Sequence, residues 1–226
     1  SCAGVCERSM VCGVTWPMSN SADFTTGTWS KLCDLENELA PQYQEALRML
    51  GAAKNPKLFD GDIGLKKVAQ KLGMEDKFEA TNVAVYFGEE NVTKDDPYFE
   101  GMGPERTGCN FCGACMTGCR NNSKNTLDKN YLYLAQKYGA KILAEHEVYD
   151  VRPIKTETDA NGYEIATNTN TTFLTKRRKN TSKGVVFSGS VCGTITLLLK
   201  LKLNSLPNIT YRLSHYVITN NQTRVS

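Results

Sequence analysis

This 226-residue chain has no run approaching the roughly 18 apolar residues that a membrane-spanning helix needs, so a transmembrane segment is not expected. Its opening, SCAGVCERSMVCG, lacks a long apolar core and carries Glu7 and Arg8, so it does not read as a secretory leader. Charge of one sign is also scarce: 27 Lys and Arg against 24 Asp and Glu leave +3, too little to argue for a nucleic-acid partner. Histidine is limited to His146 and His215, which restricts acid–base chemistry near neutral pH. His146 sits between Glu145 and Glu147 on an expected strand and reads as an exposed structural residue, and His215 receives no role. The two tryptophans, Trp16 and Trp29, read as cover for the early helices. A glycine loop of the G-x-G-x-x-G type is absent as well. The nearest approach, Gly101-Met-Gly103-Pro-Glu-Arg106, fails at the third glycine, and Pro104 has no N–H to offer a phosphate, so it reads as a turn.

Cysteine, by contrast, is abundant. Of nine cysteines, four fall within eleven residues: Cys109, Cys112, Cys115 and Cys119. Their C-x2-C-x2-C-x3-C spacing matches the run with which bacterial ferredoxins hold a [4Fe–4S] cluster, because a short loop can turn successive thiolates toward one ion assembly. The match is incomplete, since Arg120 stands where those ferredoxins have proline and no second run appears. Zinc is a second reading, although its two C-x2-C pairs are usually joined by a longer loop. Buried or disulfide-paired thiols are a third. The odd count and tight clustering favour metal and a reducing, cytoplasmic setting over a disulfide scaffold. Six N-x-S/T sequons, at Asn91, Asn121, Asn170, Asn180, Asn208 and Asn221, are what an Asn- and Thr-rich chain generates by chance.

Hydrophobic content of 40% and charged content of 23% are those of an ordinary globular chain. Residues 1–28 lack periodicity and read as irregular. Residues 29–100 read as a helical part with one short strand. Leu32, Leu35 and Leu39 lead to Pro41, which suits the first turn of a second helix ending near Gly51 with Leu47 and Leu50 buried. Asp62 can cap a helix over 63–72 closed by Gly73, and Val83 to Phe87 has strand character. Residues 101–226 hold the cysteine loop and an α/β stretch. In it, a helix over 126–138 is capped by Asn125 or Thr126, and strands are expected at 141–152, 163–166, 172–175 and 184–188. A helix over 191–203 follows, with Cys192 in its packing, and the basic cluster from Lys176 to Lys179 with Lys183 reads as a solvated hairpin tip. The fold class is therefore mixed α/β.

Longer blocks carry a resemblance. Residues 101–153, containing GCNFCGACMTGCRNNSKNTLDKNYLYLAQKYGAKILAEHEVYDV, and residues 184–214, GVVFSGSVCGTITLLLKLKLNSLPNITYRLS, are similar to the GMC (glucose–methanol–choline) flavin oxidoreductases, in their cholesterol-oxidase-like branch. LAPQYQEALRML (39–50), Asn55-Pro56 and VAVYFG (83–88) fit the same family in the same order. The resemblance implies an FAD-binding framework and oxidation of an alcohol or sterol by hydride transfer to flavin, with the electron acceptor unspecified. It also implies an internal piece, because the family's dinucleotide loop precedes this region and its catalytic histidine follows it. By position it assigns Val148 to the adenine and Ser188 and Gly189 to a turn beside the phosphate and ribose, with Ser188 where the family usually has alanine. A packed cysteine loop beside the flavin, with no cluster, becomes an alternative under this resemblance. An electron-transfer module working through the cysteine loop, and a degenerate, inactive fragment, are the alternative functions.

Overall fold

The computed structural model describes residues 24–26, 29–31, 33–155, 160–169 and 175–217. They divide into two units, one ending at Ile142 and the other beginning at Leu143, and the boundary separates the cysteine loop from the strands and helix that follow it. The architecture is mixed α/β, as the periodicity indicates. No helix among the described residues is long and apolar enough to cross a membrane.

In the first unit, helix α1 (Leu35–Met49) begins at Asp34, whose carboxylate accepts the Asn37 N–H at 3.3 Å, with Glu36 and Glu38 in the first turn and Arg48 in the last. The break expected at Pro41 does not occur: proline lies inside one continuous helix. The carbonyl it leaves without a donor, that of Asn37, belongs to an exposed residue and can be hydrated, which limits the penalty. Helix α2 (Asp60–Lys71) starts earlier than the expected cap, and Asp62 instead receives the Phe59 N–H at 2.9 Å from within the first turn. Two short antiparallel pairs follow, β1 (Ala53–Lys54) with β2 (Asn82–Val83) and β3 (Thr93–Lys94) with β4 (Arg106–Thr107). Leu50, Ala84 and Val85 form the core, with Val83, Phe87, Cys109, Cys115 and Leu127 packed around them. The helix expected at 126–138 is split into a 3-10 turn at Leu127–Lys129 and helix α3 (Tyr131–Lys137). Asn130 makes the break, its Oδ1 accepting the Tyr131 N–H at 2.6 Å.

The second unit is a three-stranded antiparallel sheet in the order β5 (His146–Lys155), β6 (Ala160–Thr169) and β7 (Arg177–Ser182), followed by helix α4 (Ser190–Leu203). Val151 and Ala166 of the sheet and Leu201 of α4 are buried. The basic cluster is not a hairpin tip but strand β7 itself, exposed along its length, and its cations protect a sheet edge from further pairing. The strand expected at 172–175 falls largely outside the described residues. Residues 184–188 are not a strand: Val185 and Phe187 turn inward and Val186 is 88% exposed, so the side chains alternate, yet among the described residues no neighbouring strand supplies a ladder. His146 is half-buried rather than exposed, and its Nδ1 lies 2.6 Å from the Ala144 carbonyl.

Candidate functional site

Backbone closure at both ends creates the cysteine loop. The Cys109 N–H donates to the Tyr86 carbonyl at 3.0 Å, the Tyr86 N–H to Ser123 at 2.8 Å, and the Asn125 N–H to Ala84 at 2.9 Å, which ties residues 109–125 to the buried 84–86 segment. Entry to the loop needs glycine, since a Cβ on Gly108 would stand 1.9 Å from the Glu89 carbonyl oxygen. The loop encloses a cavity of about 230 Å³ walled by Val83, Val85 and Phe87 on the core side and by all four clustered cysteines on the other. Phe111, at φ +56°, stacks on Phe87 with centroids 5.6 Å apart. Lys57 places its Nζ 3.8 Å from the centre of the Phe111 ring while pairing with Glu90 at 2.7 Å.

The four thiols are not equivalent. Cys112 is exposed, and the other three are half-buried. Burial pushes the Cys109 and Cys115 thiols above their ordinary range. Burial would raise Cys119 too, but N–H groups of Ser123, Lys124 and Asn121 point at its sulfur, and with the Lys129 charge they bring it below that range. Among the described residues no group of three or more His, Cys, Asp or Glu side chains is placed to hold a metal ion. The expectation of a [4Fe–4S] cluster, or of zinc, on Cys109, Cys112, Cys115 and Cys119 therefore draws no support. The cysteines share a cavity wall without forming a ligand shell among the described residues.

Sequence reasoning missed the cations around this loop. Lys124 and Arg106 are each 1% exposed. Lys124 Nζ donates to the Cys115 carbonyl at 2.8 Å. Arg106 donates from Nε to Asn125 Oδ1 at 2.7 Å and through its two other nitrogens to the carbonyls of Pro104, Glu105 and Lys129 at 2.8–2.9 Å. Both types are usually read as surface residues. The one available signal is their position within the block carrying the family resemblance.

In the second unit Val148, Ser188 and Gly189 line one cavity of about 590 Å³, a size suited to part of a cofactor. Strand β5 supplies Val148 with Glu147 and Tyr149, the extended segment supplies Phe187 and Ser188, and the first turns of α4 supply Cys192 and Thr194. Cys192, expected in the packing of that helix, is exposed and faces this cavity. Two features make the site compatible with a nucleotide. Helix α4 starts at Gly189 with no side-chain cap, leaving its first N–H groups without that partner. A Cβ at Gly189 would come no closer than 3.7 Å to the chain, so packing within the fold does not require glycine there, whereas close approach by a ligand would. Thr167, paired with Val148 across the sheet, is buried and does not line this cavity.

Comparison with known proteins places these features in a family context. Residues 28–214 match the family model described as GMC oxidoreductase. The chain is 45% identical over 201 residues to a protein named cholesterol oxidase from Acinetobacter baumannii, an alignment covering 86% of this chain and 36% of that one. A second protein named cholesterol oxidase, from Mycobacterium tuberculosis strain H37Rv, is 39% identical over 209 residues, covering 89% of this chain and 36% of the relative. The chain thus spans about a third of the length of the curated relatives it matches. No solved structure matches.

Proposed function

This chain belongs to the GMC oxidoreductase family, and on that premise we propose that it forms part of the FAD-binding framework of an enzyme that oxidises an alcohol, a sterol being the favoured class. The observation that carries the reading is the meeting of Val148, Ser188 and Gly189 at one cavity in the second unit. When bound, FAD supplies the acceptor for the hydride removed from a CH–OH carbon. The residues of this chain hold and orient it. In this reading Val148 offers the strand backbone to the adenine. Ser188 and Gly189 lie at the ribose and phosphate, where the positive end of the α4 dipole suits negative charge. The proposed sterol assignment rests on what the two relatives are named. None of the residues at this cavity is assigned a proton-transfer role.

The test is titration of the chain with FAD, followed by amide chemical shifts. Binding is expected to be weaker than about 1 µM, because pyrophosphate contacts from a glycine-rich loop are missing from these 226 residues. The shifts should concentrate at 147–149 and 188–194, and Gly189→Val should abolish them while leaving the remaining sheet amides unchanged. Saturable shifts centred elsewhere in the chain, or none at millimolar FAD, would overturn the assignment.

A further inference from the structure

We propose that the cysteine cavity of the first unit is a redox dithiol site, in which Cys119 reacts with a hydroperoxide and then closes a reversible disulfide with Cys109 or Cys115. The inference is independent of the FAD reading and concerns the other unit. Its first support is confinement. All four clustered cysteines line one cavity of about 230 Å³, and Asn121 Nδ2 donates to the Gly108 carbonyl at 2.8 Å, which sets the turn after Cys119 against the start of the loop at Cys109. Its second support is the asymmetry among the thiols. Cys119 has three backbone N–H groups directed at its sulfur, from Asn121, Ser123 and Lys124, and it feels the charge of Lys129. Lys129 Nζ is held 2.6 Å from Asn122 Oδ1, inside the turn that carries those donors. An N–H-lined, electropositive hollow stabilises thiolate, which is the reacting form. Cys109 and Cys115 stand against the apolar wall, where burial keeps them protonated until they are needed.

The chemistry balances in two steps. The Cys119 thiolate attacks one peroxide oxygen, an S–O bond forms as the O–O bond breaks, and hydroxide (or alkoxide) leaves, so that sulfur is oxidised to the sulfenic acid and the peroxide is reduced. The Cys109 or Cys115 thiol then attacks the Cys119 sulfur. An S–S bond forms, the S–O bond breaks, and the departing hydroxide takes the thiol proton as water. A dithiol reductant reverses the change.

The test treats the reduced full chain with one equivalent of hydrogen peroxide, alkylates what remains with iodoacetamide, and maps every cysteine by peptide mass spectrometry. The expected product links Cys119 to Cys109 or Cys115, leaves Cys33 and Cys192 alkylated, and disappears after dithiothreitol. Cys119→Ser, which retains an acceptor for the three N–H groups, should slow oxidation of the cavity thiols by at least about tenfold. In the Cys109→Ser/Cys115→Ser double variant, Cys119 should persist as a sulfenic acid that dimedone captures. A disulfide that excludes Cys119, unchanged oxidation in Cys119→Ser, or full alkylation of Cys119 after peroxide would each overturn the proposal. The mapping of the unsubstituted chain decides the question even if a variant does not fold.

Discussion

Replacing Arg106 by alanine should be among the most damaging single changes in the first unit. Its side chain is 1% exposed and makes four hydrogen bonds of 2.7–2.9 Å, to the Asn125 side chain and to the carbonyls of Pro104, Glu105 and Lys129. Two of these acceptors, Asn125 and Lys129, join β4 to the segment after the cysteine loop. Burial without a carboxylate contact depresses the guanidinium's basicity, so part of its binding energy is spent on desolvation. Each buried acceptor stripped of its donor costs about 1–3 kcal/mol, and water entering the vacated space recovers some of this. The net loss is expected at about 3–5 kcal/mol, the range for breaking one side of a buried charged network. Arg106→Lys keeps the charge but cannot span four acceptors, and should recover about a third of the loss or less. Native-state hydrogen exchange reads the effect locally, at the amides of Asn125, bonded to Ala84, and Leu134, bonded to Asn130. Urea unfolding of the same variants gives the free energy. A loss below about 1 kcal/mol for Arg106→Ala, with the Asn125 amide still protected, would refute the assignment of Arg106 as the fastener of this loop.

Gly108→Ala is expected to destabilise the first unit by about 3 kcal/mol or more and to raise iodoacetamide labelling of Cys109, because the added Cβ lands on the Glu89 carbonyl and the Cys109 backbone must shift. Equal labelling rates in the two proteins would count against that geometry. Asp96, whose carboxylate accepts N–H groups from Tyr98, Phe99, Gly101 and Gly103, should show a pH-dependent role: burial opposes its charge, but the four donors outweigh burial and hold it below its ordinary value of 3.8. Its contribution is therefore full above that value and lost as pH falls through the lower folded-state one. Asp96→Asn should cost about 2 kcal/mol at pH 7 and progressively less in acid, and a difference independent of pH in urea unfolding would contradict the sign. Among the three half-buried thiols, alkylation at pH 7 should be fastest at Cys119, with the rates of Cys109 and Cys115 catching up as pH rises past the ordinary thiol range. Competitive labelling that finds Cys119 slowest would remove the electrostatic basis given for it.

How far the sequence could be read depended on whether the deciding interaction was local. Period 3.6 in Ser190–Leu203, with glycines before it, located α4, and the β-branched and aromatic runs located β5 and β6. At Pro41 the local rule pointed to a break, and the helix continued because its solvent-facing carbonyl could be left to water. At 184–188 the alternation was right and the strand was not, since a strand is defined by a partner and none is adjacent among the described residues. Ordered blocks of sequence sufficed to identify the family, and the FAD contacts proposed for Val148, Ser188 and Gly189 rest on that resemblance, since periodicity alone would leave them as a core strand residue and a turn.

The cysteine spacing determined that four thiols share one short loop. It could not determine what that loop encloses. That depended on which segment closes against it, and the 84–86 backbone brings Val85 and Phe87, an apolar wall, rather than further ligands. Nor could it reveal that Lys124 and Arg106 are buried, because the acceptors that make their burial tolerable include residues 9 to 23 positions away. The difference in acidity between Cys119 and its neighbours has the same origin: thiols of one chemical type diverge only when folding surrounds one with N–H groups and sets the others against hydrocarbon. Sequence specified the reactive atoms, and their environments were fixed by tertiary contacts, since burial and hydrogen-bond supply are properties of neighbours in space.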